Sequence, residues 1–341
     1  MPPEDGQLPF VDEATVGALL TVGDAIDAIT KAMVDLDGGL AENQPRRRLS
    51  VNGSSLNMLA ASWVGNGVYG QKVYSVGPGG AQFWVLLYHV DGRPLAVVAA
   101  QRLGRIRTGA ATGVATHALA RDNASVVGVI GTGYQMQTQV EAVAQVRRLT
   151  RVQAWSRDPE GRASFCRVMT ERIGVPVVDA GSAHGAVDGA DVVITLTTSK
   201  APVLPTDALE AGMHVVAAGS NHAASAELDP EAVGRMDVVV VDDLEQGKRE
   251  SGELIAAQRA GLFDWSSALP MSRVVADRTS GRSDPAQVTL FKSNGIALWD
   301  VACAAKVAEL AIAAGRVRYL DLATGPDTDA PARFLSATRP T

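Results

Sequence analysis

One stretch constrains the fold of this chain more than any other: Ser125-Val-Val-Gly-Val-Ile-Gly-Thr-Gly-Tyr-Gln-Met136. An apolar run ends in Gly131-Thr-Gly133, and a polar, helix-compatible segment follows over 135–148. Strand, glycine turn and helix in that order form a dinucleotide site. Glycine lets backbone N–H groups approach a pyrophosphate, and the helix N-terminus supplies partial positive charge for it. Met136 stands where the third glycine of G-x-G-x-x-G belongs, so the reading rests on the order of elements rather than on the glycines alone.

The surrounding sequence agrees with that order. From Ala124 onward strands are expected at 126–130, 151–155, 175–178, 191–195, 214–218 and 237–241, with helical stretches between most of them. That alternation is the pattern of a doubly wound parallel sheet. Before it, 12–40 reads as helical until Gly38-Gly39, and the chain from Arg47 to Val98 reads as strands with no helix between them. The break Val90-Asp-Gly-Arg-Pro94 is a hairpin signal within a mostly antiparallel sheet. A helix over 108–120 leads into the glycine motif, and an alanine-rich helix runs to about Ala314, followed by a loose tail from Thr324. The fold class is α/β: a Rossmann-type doubly wound domain over 123–290, inserted into a second α+β domain built from 1–122 and 291–341. The catalytic cleft is expected between them, at the carboxyl ends of the parallel strands.

Composition excludes several classes of partner. The 341 residues, 46% of them hydrophobic and 20% charged, suit a globular protein of about two domains. A net charge of -6 argues against nucleic acid and anionic membrane surfaces. The start, Met1-Pro-Pro-Glu-Asp-Gly, lacks a basic and apolar leader, and no apolar run reaches membrane length, so a cytoplasmic location is expected. Cys166 and Cys303 read as buried free thiols, and the five histidines show no ligand spacing, so no metal is expected.

Chemistry is suggested at two places. The strand over 151–155 runs into Ser156-Arg157, where an NAD site usually places Asp or Glu for the ribose 2′-OH. A hydroxyl and a guanidinium suit a 2′-phosphate, so NADP(H) is the preferred cofactor; Asp158 leaves NAD(H) as the alternative. In the first lobe three cations stand apart: Arg47 after Gln44-Pro-Arg, Lys72 within Gly70-Gln-Lys-Val-Tyr, and Arg107 before Thr108-Gly-Ala-Ala. Arginine fixes a carboxylate by a forked hydrogen bond, and a lysine of lowered pKa also transfers a proton. Three such groups near a nicotinamide point to an anionic amino or imino acid. Trp63, Tyr74 and Trp84 are candidate pocket walls.

These residues, in this order, resemble the ornithine cyclodeaminase/mu-crystallin family over nearly the whole chain. The likeness runs through Pro45-x-Arg47, Gly70-x-Lys72, Arg107-Thr-x-Ala and Gly131-x-Gly133-x-Gln135. It continues in Thr195-x-Thr-x-Ser199, Gly219-Ser-Asn221, Glu250-Ser-Gly-Glu-Leu and Leu290-Phe-Lys-Ser293-x-Gly. The resemblance implies a homodimer paired through the sheets of the non-Rossmann lobes. It places Arg47, Lys72, Arg107 and Asn221 at the substrate, with Lys72 catalytic. It places Thr108, Gly131, Thr132, Gly133, Tyr134, Gln135, Ser156, Arg157, Thr197, Ala218 and Ser293 at the cofactor. Cyclodeaminases carry an aspartate where this chain has Asn221, and an amide is no base at neutral pH. Ser225 likewise stands where a lysine is absent. The pattern therefore resembles the ketimine-reductase branch: NAD(P)H-dependent reduction of a cyclic 2-imino acid such as pyrroline- or piperideine-2-carboxylate. The alternatives are a lyase using bound NAD+, an amino-acid or iminodicarboxylate dehydrogenase, and a binding protein without turnover.

Overall fold

The computed structural model describes residues 7–321; the tail from Thr324 and the first six residues lie outside the described residues. Two sheets carry the fold. The first contains β1 (Gln7–Val11), β2 (Ala41–Val51), β3 (Ser54–Trp63), β4 (Val68–Gly77), β5 (Gly80–His89) and β6 (Pro94–Ala99), and the late strand β15 (Arg318–Asp321) closes its edge. Its order is β15-β1-β6-β5-β4-β3-β2, antiparallel except for the β1–β6 pair. The second is wholly parallel: β7 (Val126–Ile130), β8 (Arg151–Trp155), β9 (Val177–Asp179), β10 (Val192–Thr195), β11 (His214–Ala217), β12 (Val238–Val241), β13 (Leu269–Pro270) and β14 (Thr289–Lys292). Its order is β13-β12-β14-β11-β10-β7-β8-β9. These short strands are runs of valine and isoleucine because helices cover both faces.

In the first lobe α1 (Glu13–Leu19) and α2 (Val22–Asp37) lie between β1 and β2, and α3 (Gln101–Leu119) leaves the sheet after β6. Thr21 and Asp24 form a reciprocal capping box that fixes the start of α2. The parallel sheet is wrapped by α4 (Met136–Val146), α5 (Pro159–Ile173), α6 (Ala183–Val187), α7 (Pro230–Gly234), α8 (Leu244–Glu250), α9 (Gly252–Arg259) and α10 (Met271–Ala276). The last helix, α11 (Ala297–Ala313), is apolar and buried over most of its circumference, lying against α2, α3 and the antiparallel sheet. One core cluster runs from the first lobe through α3 and α11 into the parallel sheet. Strand order reverses between β7 and β10, which opens a crevice at their carboxyl ends.

Two elements differ from expectation in ways that matter for the site. Helix α3 begins at Gln101, seven residues before the expected start, so Arg107 lies in its second turn and not at its N-terminus. The reason is a cap from far away: Glu13 of α1 accepts from the backbone N–H groups of Gln101 (2.7 Å) and Arg102 (2.9 Å). Strand β2 begins at Ala41 and carries a bulge between Gln44 and Arg47, where Pro45 can give no ladder hydrogen bond. Among the described residues no helix is long and apolar enough to cross a membrane.

Candidate active site

The crevice is a cleft of about 680 Å³. Gly131, at the end of β7, has φ +100°, and a Cβ there would strike the Leu196 carbonyl oxygen, so only glycine fits the turn. A Cβ on Gly133 would meet nothing within 4 Å, because that residue faces the open cleft. Helix α4 then starts with no side-chain cap at Gln135: the Met136 N–H is bonded to the Gly133 carbonyl (3.1 Å), and among the described residues no side chain caps the next N–H groups of the first turn. Uncapped donors behind a glycine turn are what a pyrophosphate requires, so the residues fit a dinucleotide. All eleven residues expected at the cofactor, from Thr108 to Ser293, line this cleft.

The far end of β8 distinguishes two side chains. Asp158 is the N-cap of α5, accepting from the Glu160 N–H at 3.1 Å. Arg157 is exposed in the cleft lining and makes no ion pair among the described residues. Ser156 and Thr132 share a hydrogen bond of 2.8 Å across the turn.

At the opposite end, Lys72 and Arg107 meet. Strand β4 turns Lys72 inward, where its Nζ lies 2.7 Å from Asp300 Oδ1, and Arg107 Nε donates to the same oxygen at 3.1 Å. Both Lys72 and Asp300 are buried. Burial pushes Lys72 down to about 8; Asp300 partly offsets this, and the neighbouring Arg107 and Arg46 add to it. Gly104 leaves room for the ammonium, and Tyr74 and Phe83 hold their rings 5.8 and 5.5 Å from it. Gly295, at φ +78°, gives Arg107 its place; a Cβ would press on the guanidinium.

Arg47 does not join them. It pairs with Met58 on the exposed face of the sheet, whereas Lys72 pairs with Leu59 on the inner face. The bulge sends Arg46 and Arg48 inward instead. Arg46 is buried, bonded to Glu250 and to the carbonyls of Asn294 (3.0 Å) and Gly295 (2.9 Å). Arg48 bonds to the Asn221 carbonyl (2.7 Å), its Oδ1 (3.3 Å) and Glu250 (3.1 Å). Of the expected pocket walls, only Tyr74 lies beside Lys72. Trp63 is buried and bonded to Asp35, and Trp84 faces outward. Cys303 is buried and Cys166 only half-buried; burial raises both thiols above their ordinary range.

A second buried cluster, unseen in the sequence, supports the floor of the cleft. Glu227 accepts from Thr197 N–H (2.7 Å), Thr197 Oγ1 (2.8 Å), Thr195 Oγ1 (3.0 Å) and Gly219 N–H (2.7 Å). Lys292 Nζ donates to the Ser220 carbonyl (2.7 Å) and to Glu253 (3.2 Å), whose carboxylate also accepts from the Glu227 N–H (3.1 Å). Burial pushes Glu227 up; Lys292 and the donors from Thr197 and Gly219 pull it back. Asp242 accepts from the N–H groups of Asn294 and Gly295, both at 2.6 Å, and burial raises it to about 6.

With this geometry in place, comparison with known proteins is specific. A family model, the ornithine cyclodeaminase/mu-crystallin family, matches residues 9–315. The Delta(1)-pyrroline-2-carboxylate reductase of Bacillus cereus is 35% identical over 225 residues, 66% of this chain and 69% of the relative. The Thermococcus litoralis Delta(1)-pyrroline-2-carboxylate reductase, solved in complex with NADH and L-proline, has a TM-score of 0.86 at 28% identity. It covers 92% of this chain and 100% of that one. The iminosuccinate reductase of Paracoccus denitrificans, in complex with NAD+, gives 0.87 at 28% identity, covering 92% of this chain and 99% of that one.

Proposed function

Because this chain belongs to the ornithine cyclodeaminase/mu-crystallin family, we propose that it reduces a cyclic 2-imino acid of the pyrroline- or piperideine-2-carboxylate type, with NADPH preferred. The observation that carries the reading is the buried Lys72–Asp300–Arg107 group, which meets a dinucleotide cleft through Arg107. Bound there, a reduced nicotinamide supplies the hydride that the imine carbon takes up. Lys72 holds a proton at Nζ for the imine nitrogen, and a protonated C=N is the better electrophile. Arg107 is anchored through Nε, so its two terminal nitrogens are left to take the substrate carboxylate as a fork. Asn221 presents its amide oxygen to Arg48, which leaves its NH₂ to orient the substrate.

NADPH preference is supported by the capping role of Asp158 and the free guanidinium of Arg157, which suit a 2′-phosphate. The two structural relatives carry NADH and NAD+, so an NADPH preference would set this chain apart from them. A lyase reading needs a carboxylate where Asn221 stands. A homodimer, paired through the outer face of the antiparallel sheet, belongs to the same reading.

Absorbance at 340 nm tests it with Δ1-pyrroline-2-carboxylate and Δ1-piperideine-2-carboxylate, using NADPH and NADH in parallel. Oxidation of NADPH well ahead of NADH is expected, and Arg157→Asp should reverse the preference. Ammonia release from ornithine, with no net change in cofactor, would mean a lyase.

A further inference from the structure

The cluster beneath the cleft floor holds more charge than a scaffold needs. Glu227, Glu253 and Lys292 are all buried, two carboxylates against one ammonium. The hydrogen-bond pattern of Glu227 favours its carboxylate form: each of its oxygens accepts from a backbone N–H, Thr197 on one and Gly219 on the other, and the hydroxyls of Thr195 and Thr197 add to them. Its position is as telling as its charge. Gly219 lines the cleft, and a Cβ on it would overlap the Glu227 carboxylate, so only one glycine backbone separates that carboxylate from the cleft.

The topology says which half of a dinucleotide lies there. The 2′-phosphate end belongs to β8, beside Ser156 and Arg157, so the other half lies over the ends of β10, β11 and β14. Thr197, Gly219 and Ser293, at those three ends, line the cleft, and Gly295, two residues after Ser293, packs on the Arg107 guanidinium. A nicotinamide ring is neutral when reduced and cationic when oxidised. A fixed negative charge beneath it therefore binds the oxidised form better, by an interaction little screened in a buried site.

We propose that Glu227, with Glu253 and against Lys292, biases the bound cofactor toward its oxidised form and thereby favours hydride departure. This rests on the dinucleotide reading above, and it assigns Glu227 a positioning and electrostatic role without contact with substrate.

The test is binding, not turnover. Dissociation constants for NADP+ and NADPH are measured by calorimetry and by nicotinamide fluorescence for the wild type and three single variants. Glu227→Gln and Glu253→Gln each remove negative charge, and each should raise the ratio Kd(NADP+)/Kd(NADPH) about tenfold. For a two-electron couple that is about 30 mV. Lys292→Met removes the counter-charge and should lower the same ratio. Opposite signs from charge removals of opposite sign would establish the effect, since loss of packing moves both constants together. Ratios within about twofold of wild type in all three variants would overturn it, as would a shift of one sign throughout. Failure of the wild type to bind any nicotinamide dinucleotide would overturn this inference and the function proposed above. Binding with unchanged ratios would leave that function standing.

Discussion

At the residue scale the proposed chemistry turns on Lys72. Its ammonium is desolvated and shares Asp300 with Arg107, so two cations lean on one carboxylate oxygen. A proton donor at about 8 is charged at neutral pH, and kcat/KM should fall as pH rises through that value. Lys72→Ala should reduce kcat by about 10²–10⁴-fold. Asp300 raises the lysine, so Asp300→Asn should move the alkaline limb to lower pH, visible in a pH–rate profile; an unmoved limb would mean that another group sets it. The stability linkage has a definite sign. The folded value lies below 10.5, so between about 8 and 10.5 the unfolded chain binds the extra proton and stability should rise with pH there. Asp300→Asn also leaves both cations without their carboxylate, at a cost of about 3–5 kcal/mol for a broken buried pair.

At the scale of elements, α3 and α4 hold the two ends of the site in register. Gly109 sits directly after Thr108 on α3, and a Cβ there would collide with the backbone carbonyl of Thr138 on α4. Backbone cannot step aside as a flexible side chain does, so Gly109→Ala should cost about 1–3 kcal/mol and lower Tm. Because Arg107 and Thr108 move with α3, NADPH affinity should weaken too; a lower Tm with unchanged affinity would separate packing from site geometry. The same elements explain what was legible in advance. The glycine turn and most of the parallel strands are written in adjacent residues and were readable. Arg47 was not, because facing in a strand alternates by single residues and the bulge at Pro45-Arg46 shifts the pattern by one. Asp300 was also hidden. Its partner is 228 positions away, and the local sign was a carboxylate set among the apolar residues that open the last helix, Ala-Leu-Trp-Asp-Val-Ala. Lys292 left a comparable sign, a lysine closing the buried strand Thr-Leu-Phe-Lys.

At the scale of the whole molecule, the described residues cover the antiparallel sheet on one face only. Its inner face packs on α11, while the outer face exposes Leu49, Leu56, Met58, Tyr69 and Trp84 around Arg47. Contiguous apolar surface of this kind marks an association site, and a sheet face made of the same patch on both copies suits a two-fold axis. The expected solution mass is therefore twice the 35.5 kDa of one chain, measured by sedimentation or light scattering. Trp84→Glu places a charge on that face without touching the cleft lining and should shift the equilibrium to monomer. Lys72 lies on the inner face of the same strands, so pairing the outer faces would stiffen the platform behind it. Loss of the dimer should then raise KM for the imine while the cofactor, held by the other sheet, binds as before. A wild-type chain that sediments at 35.5 kDa would leave that face to some other partner.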